Sequence, residues 1–184
     1  MQIKLEKHCQ NMKRLYYLEK DICDLTRNSF LFFDNNALIA FILNPDLFVN
    51  LISLFDQRGL ALTSIPSVRF EFLRQDSYDN LKIRINFFNK YIGLYPIEKH
   101  LDTLKTLIPV IQKASYKCSY PDFLLYCALY KFKSRSYLLT SDHKDFNQSL
   151  LDRKTVITVD NSKEIHNLAI YTFSEEKLNK FDSP

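Results

Sequence analysis

Phe30-Leu31-Phe32-Phe33-Asp34-Asn35-Asn36 is an apolar run that stops on a carboxylate and two amides. A short run of large apolar residues bounded by polar ones reads as a buried strand, and residues 35–43, ended by Asn44-Pro45, read as the helix that follows it. Working outward, Pro45 to Asp56 makes a second helix and Leu60 to Ile65 a second strand. Pro66 then opens a helix, since the N–H it lacks would be unpaired there. Tyr78, Leu81, Ile85 and Phe88 stripe a further helix, Tyr91 to Tyr95 a short strand, and Ile97 to Ile111 another helix. Ser119 caps a helix over 120–132 that is apolar nearly all round, and the strand Tyr137 to Ser141 follows. Thr155 to Val159 and Leu168 to Phe173 read as strands, and Ser174 to Lys180 as a short charged helix. Strands alternating with helices predict an α/β fold, a mainly parallel sheet flanked by helices.

Upstream, Leu5, Cys9, Met12, Leu15, Tyr16, Leu18, Ile22 and Leu25 fall at helical spacing with charges between them, which predicts one amphipathic helix over 3–25. Docking on the core is its plainest role; a homodimer seam and a partner-binding arm stay open. The chain so divides into an N-terminal helical extension (1–28), a central α/β domain (29–160) and a C-terminal strand with a short helix (161–184).

Composition narrows the function classes. The 184 residues are 46% hydrophobic, enough for one substantial core. With two glycines there is no dinucleotide or P-loop cradle. A net charge of +4 reads as simple solubility before it reads as a nucleic-acid footprint. Four cysteines show neither a Cys-x-x-Cys pair nor a histidine partner at zinc-finger spacing, so neither a zinc site nor a disulfide framework is expected. The run Ala37 to Leu43 is far short of a membrane span and Met1 to Gln10 is too charged for a secretory signal, so the expectation is a cytoplasmic protein without membrane contact.

Four carboxylates stand out against this background. Asp34 and Asp142 close predicted strands; Glu71 and Asp122 lie in first turns of predicted helices. In an open parallel sheet, strand ends and following helix starts share one edge, so four acids distant in sequence can meet there. Three of them have a plainer reading: a turn residue for Asp34, a capping-box acid reaching back to Ser119 for Asp122, an N-cap for Asp142. Acids gathered closely repel by several kcal/mol at low effective dielectric and need protons or cations at neutral pH. Hard oxygen ligands select Mg²⁺ or Mn²⁺ over zinc, and such ions commonly bind phosphate oxygens, which makes phosphodiester hydrolysis the natural chemistry.

These residues resemble the PIN-domain family. Its opening strand-Asp-x-Asn is seen as Asp34-Asn35-Asn36; its second acidic motif is similar to Val68-Arg69-Phe70-Glu71-Phe72-Leu73. Pro121-Asp122 with its apolar helix is similar to the third, and Thr140-Ser141-Asp142-His143-Lys144-Asp145-Phe146 to the Thr/Ser-x-Asp with its trailing Asp-Phe. The match spans about residues 29 to 160 in the family's order. It implies a metal-dependent ribonuclease, VapC-like in type, many small bacterial members being toxins held by an antitoxin. By that resemblance Asp34, Glu71, Asp122 and Asp142 bind one or two Mg²⁺ or Mn²⁺ ions, Asp145 is an auxiliary ligand, and Asn36 and Thr140 orient the acids. A water activated by the metal attacks the scissile phosphate, with no side-chain nucleophile. Lys144 and Arg69 are the expected RNA contacts. The alternative is a catalytically silent PIN-like module binding RNA or protein; a small-molecule phosphatase ranks last, because Asn36 stands where such an enzyme wants its second aspartate.

Overall fold

The computed structural model describes residues 14–74, 77–113, 118–146, 149–160 and 165–182. In chain order the elements are β1 (Arg14–Tyr16), α1 (Glu19–Cys23), β2 (Phe30–Phe33), α2 (Asn35–Leu43), α3 (Pro45–Gln57), β3 (Ala61–Ser64), α4 (Pro66–Leu73), α5 (Tyr78–Tyr91) and β4 (Gly93–Leu94). They continue with α6 (Leu101–Lys113), α7 (Tyr120–Phe132), β5 (Ser136–Thr140), β6 (Leu151–Asp160), β7 (Ile165–Phe173) and α8 (Glu175–Asp182). Among the described residues, seven strands form one sheet in the order β1-β6-β7-β5-β2-β3-β4.

The α/β class holds, but the mainly parallel sheet does not. Only β5, β2, β3 and β4 run parallel; β7 pairs antiparallel with β5, β6 with β7 and β1 with β6. The long β6–β7 ladder makes the sheet mixed and antiparallel over most of its paired length. The cause is legible in burial along β6, where Thr155, Ile157 and Val159 are buried and the residues between them are not. That period of two belongs to a strand with one wetter face, as antiparallel pairs tolerate. By contrast all five residues of β5 are buried, as befits a central strand covered on both faces.

The helix expected over 3–25 is also corrected where the structure describes it; residues 1–13 lie outside the described residues. Arg14–Tyr16 is an edge strand, with Leu15 opposite Val159, and only Glu19–Cys23 is helical. Pairing with the free edge of β6 satisfies backbone groups that the helix would have satisfied internally, and Ile22 and Leu25 still reach the core. β1 and β7, which lie on either side of residues 29–160, are strands of this same sheet.

The core is aromatic. Phe41 and Phe48 stack with ring centroids 3.7 Å apart, fastening α2 to α3, while Phe33 meets Phe41 edge-on at 5.1 Å. Among the described residues no single helix is long and apolar enough to cross a membrane; α2 and α3 pass that test only together, bent by 120°. Gly59 closes α3 with φ +70°, and a Cβ there would meet Asn28 Oδ1 at 2.7 Å. Gly59→Ala is therefore expected to cost about 1–2 kcal/mol, from left-handed backbone strain on an L residue plus this clash. Urea unfolding of the two proteins checks it.

Candidate metal centre

The parallel strands β2, β3 and β5 bring their carboxyl ends to one edge, and the acids arise from the chain there. Asp34 follows β2 directly and is the N-cap of α2: its Oδ1 accepts the Asn35 N–H at 2.6 Å. Its Oδ2 accepts the Thr140 hydroxyl at 2.8 Å, and the same hydroxyl oxygen accepts the Asp142 N–H at 2.9 Å. One buried threonine at the end of β5 thus ties the tip of β2 to the start of the Asp142 turn. Next door, buried Ser64 at the end of β3 donates to the Phe33 carbonyl at 2.8 Å and pins the third strand end beside the same point.

Asp142 Oδ1 accepts the N–H groups of Lys144 and Asp145, both at 3.0 Å, which folds 142–145 into a capped turn. Phe146 then plunges into the core against Tyr126, whose hydroxyl donates to the Asp145 carbonyl at 3.0 Å. Asp122 forms the full capping box of α7: Ser119 Oγ donates to its Oδ2 at 2.6 Å, and Ser119 N at 3.1 Å. Because α7 leads back into β5, its first turn sits at the carboxyl edge. Glu71 is half-buried on α4, the helix that follows β3, but it lies in the second turn and not the first as expected, because Pro66 opens the helix five residues before it.

Charge couples these groups to one another. Burial pushes the Asp34 carboxyl up to about 7; the Thr140 hydrogen bond opposes this, and the charges of Asp122 and Asp142 add to it. Burial followed by the Asp122 charge raises Glu71, with Arg74 opposing. Asp122 is raised by burial and by Asp142, against its bonds to Ser119. Asp145 is raised by burial and then by Asp142 and Asp122, with Lys144 opposing. Five acids therefore share one field, and burial and mutual charge raise Asp34, Glu71, Asp122 and Asp145 within it.

The other predicted residues distribute differently. Thr140 is buried and bonded to Asp34. Asn36 is exposed and lines a cavity of about 420 Å³ with Ser141, Leu43 and His166, next to the acids. Lys144 is exposed beside Asp145. Arg69 packs its guanidinium 5.5 Å from the centre of the Phe88 ring, so its length is spent on the α4–α5 contact. His143 holds Tyr171, with Nδ1 2.9 Å from the phenol oxygen. Two residues carry roles the sequence reading passed over. Ser64 is one; Asn35, whose Oδ1 is buried without a hydrogen-bond partner beside Asp34, is the other. A small polar residue closing an apolar strand just before Ile65-Pro66 was the available signal for Ser64.

No family model matches this chain, nor does any curated protein.

Among the described residues, no three histidine, cysteine or carboxylate side chains are gathered closely enough to enclose one ion as they stand. Asp122 and Asp142 each spend an oxygen on capping their own turns. An all-oxygen donor set fits Mg²⁺ or Mn²⁺, which keep several waters and take one or two protein carboxylates plus substrate phosphate. Zinc sites draw mainly on histidine and cysteine ligands.

Thr140→Val should test the hinge of this arrangement. It keeps the shape but strands the Asp34 carboxylate and the Asp142 N–H, so a loss of about 2–3 kcal/mol in urea unfolding is expected. Removing the hydroxyl should also raise the Asp34 carboxyl further, because that bond favours its ionised form.

Proposed function

We propose that this protein is a PIN-like, metal-dependent endoribonuclease that hydrolyses RNA phosphodiester bonds with Mg²⁺ or Mn²⁺ at Asp34, Glu71, Asp122 and Asp142. The observation that carries the reading is the shared field of these acids, with the most buried of them, Asp34, pushed up to about 7. Carboxylates arranged to raise one another cost stability, and a divalent cation turns that cost into affinity.

Asp34 would be the central ligand, oriented by Asn35 N–H and Thr140; Asp142 and Asp122 would supply one oxygen each, and Glu71 and Asp145 would hold outer waters. The cation supplies charge neutralisation at the phosphate and an activated water. Lys144, at the mouth beside Asp145, would meet the RNA backbone. A role as the toxin of a toxin–antitoxin pair belongs to this same reading, and a short neighbouring reading frame for a small DNA-binding protein would support it.

One observation favours a second reading, a catalytically silent PIN-like module that binds RNA or a protein: the acids do not close around an ion unaided. Cleavage of single-stranded RNA by EDTA-treated protein, with and without added Mn²⁺, separates the two. Metal-dependent cleavage supports the enzyme; RNA binding without cleavage supports the module.

A further inference from the structure

Aromatic residues are so frequent here that sequence alone cannot tell a stacking ring from a packed one, but exposure can. Phe70 is 70% exposed and Tyr120 is 60% exposed in a chain whose other phenylalanines largely build the core. Single exposed apolar residues are ordinary and need no explanation. These two differ in address. Phe70 directly precedes Glu71 on α4, and Tyr120 opens α7 two residues before Asp122. α4 leaves the carboxyl end of β3 and α7 begins where the chain returns toward β5, so both ring-bearing helices border the sheet edge at which Asp34 and Asp142 lie.

Local structure keeps both rings out. Along α4, Val68 and Phe72 take the buried face, and Pro66, Phe70 and Arg74 fall on the exposed one, one turn apart. The Arg74 N–H donates to the Phe70 carbonyl at 3.1 Å, which carries that face on to a cation beside Glu71. In α7, the Ser119–Asp122 capping box fixes the first turn, so Tyr120 projects from an anchored backbone.

We propose that Phe70 and Tyr120 are stacking platforms for unpaired bases of single-stranded RNA, seating the nucleotides on either side of the phosphate presented to the acids. Every base offers a π-face, so such rings grip a strand without reading its sequence, and they require bases that are not stacked in a duplex. Arg74 supplies backbone charge next to the first ring. The proposal rests on the nuclease reading for the phosphate's position, but not on catalysis for its test.

The chain has no tryptophan, so Phe70→Trp introduces a unique fluorophore at the proposed platform. It should be titrated with oligouridylate in Ca²⁺, a hard cation that neutralises the acids but is too large for the octahedral geometry of Mg²⁺. The expected result is saturable quenching by the single strand, little by the same strand in a duplex, and none for Tyr16→Trp, on the edge strand at the opposite side of the sheet. In cleavage assays Phe70→Ala and Tyr120→Ala should each raise KM about tenfold with kcat nearly kept, and Phe70→Tyr should restore KM. Quenching without any cleavage by the wild type would uphold the platform and sink the nuclease. Cleavage by the wild type with no quenching at position 70, or equal quenching by duplex, would overturn the platform and leave the exposed ring to a protein partner.

Discussion

Asp34→Asn is expected to cut RNA cleavage by at least about a hundredfold and, in EDTA above pH 7, to melt higher than the wild type. The first effect follows from removing a ligand charge where transition-state charge develops. The second follows from the sign of the titration. The folded carboxyl is raised from 3.8 to about 7, so between those values the folded state binds more protons than the unfolded chain. Stability therefore falls as pH rises from about 4 to 7, and the whole penalty is present above 7. A displacement of about three pH units corresponds to at most roughly 4 kcal/mol. Asparagine keeps the acceptor for the Asn35 N–H and carries no charge, so it escapes the penalty. Mn²⁺ should raise the melting temperature of the wild type at pH 8, by mass action on the folded state, and leave the variant where it was. Thermal melts at pH 5 and pH 8, with EDTA or Mn²⁺, check both directions.

Phe146→Ala is expected to destabilise the protein by about 3–5 kcal/mol, the range for emptying a fully buried phenylalanine site. Phe146 is completely buried, with its ring 5.3 Å from that of Tyr126. It lies one residue beyond Asp145, and it is the anchor that stops the 142–145 turn from swinging. The variant should therefore lose metal-dependent cleavage beyond what its folded fraction explains, since the turn that presents Asp142 is no longer held. Urea unfolding with rates normalised to folded protein separates the two losses.

The parts of this fold that sequence made legible are those where burial and local chemistry agree. Phe30–Phe33, Asn35–Leu43 and Tyr120–Phe132 have the bounds read from their apolar runs and caps. Ser119 and Asp122 form the capping box that was the plainer reading of Asp122, and Asp142 caps the 144–145 turn as its plainer reading held. Those local roles and a shared field of charge coexist, because a carboxylate has two oxygens and a turn needs one. What sequence hid was non-local. Leu15 and Ile22 fit a helical stripe as well as they fit an edge strand followed by one helical turn, and only the unpaired edge of β6 decides between them. The antiparallel half was missed because strand direction is set by how far the chain travels between strands, not by the strands themselves. Ser64 was not legible, since its partner is a backbone carbonyl thirty-one positions away.

The most direct test of the acid edge as a metal-dependent nuclease is the cleavage rate of a labelled single-stranded RNA, by EDTA-stripped protein titrated with Mn²⁺, for the wild type and Asp34→Asn. No cleavage is expected in EDTA, with a rate that rises and saturates with Mn²⁺ for the wild type and a flat line for the variant. Cleavage that ignores EDTA, or an Asp34→Asn rate equal to that of the wild type, would overturn the metal-dependent nuclease reading.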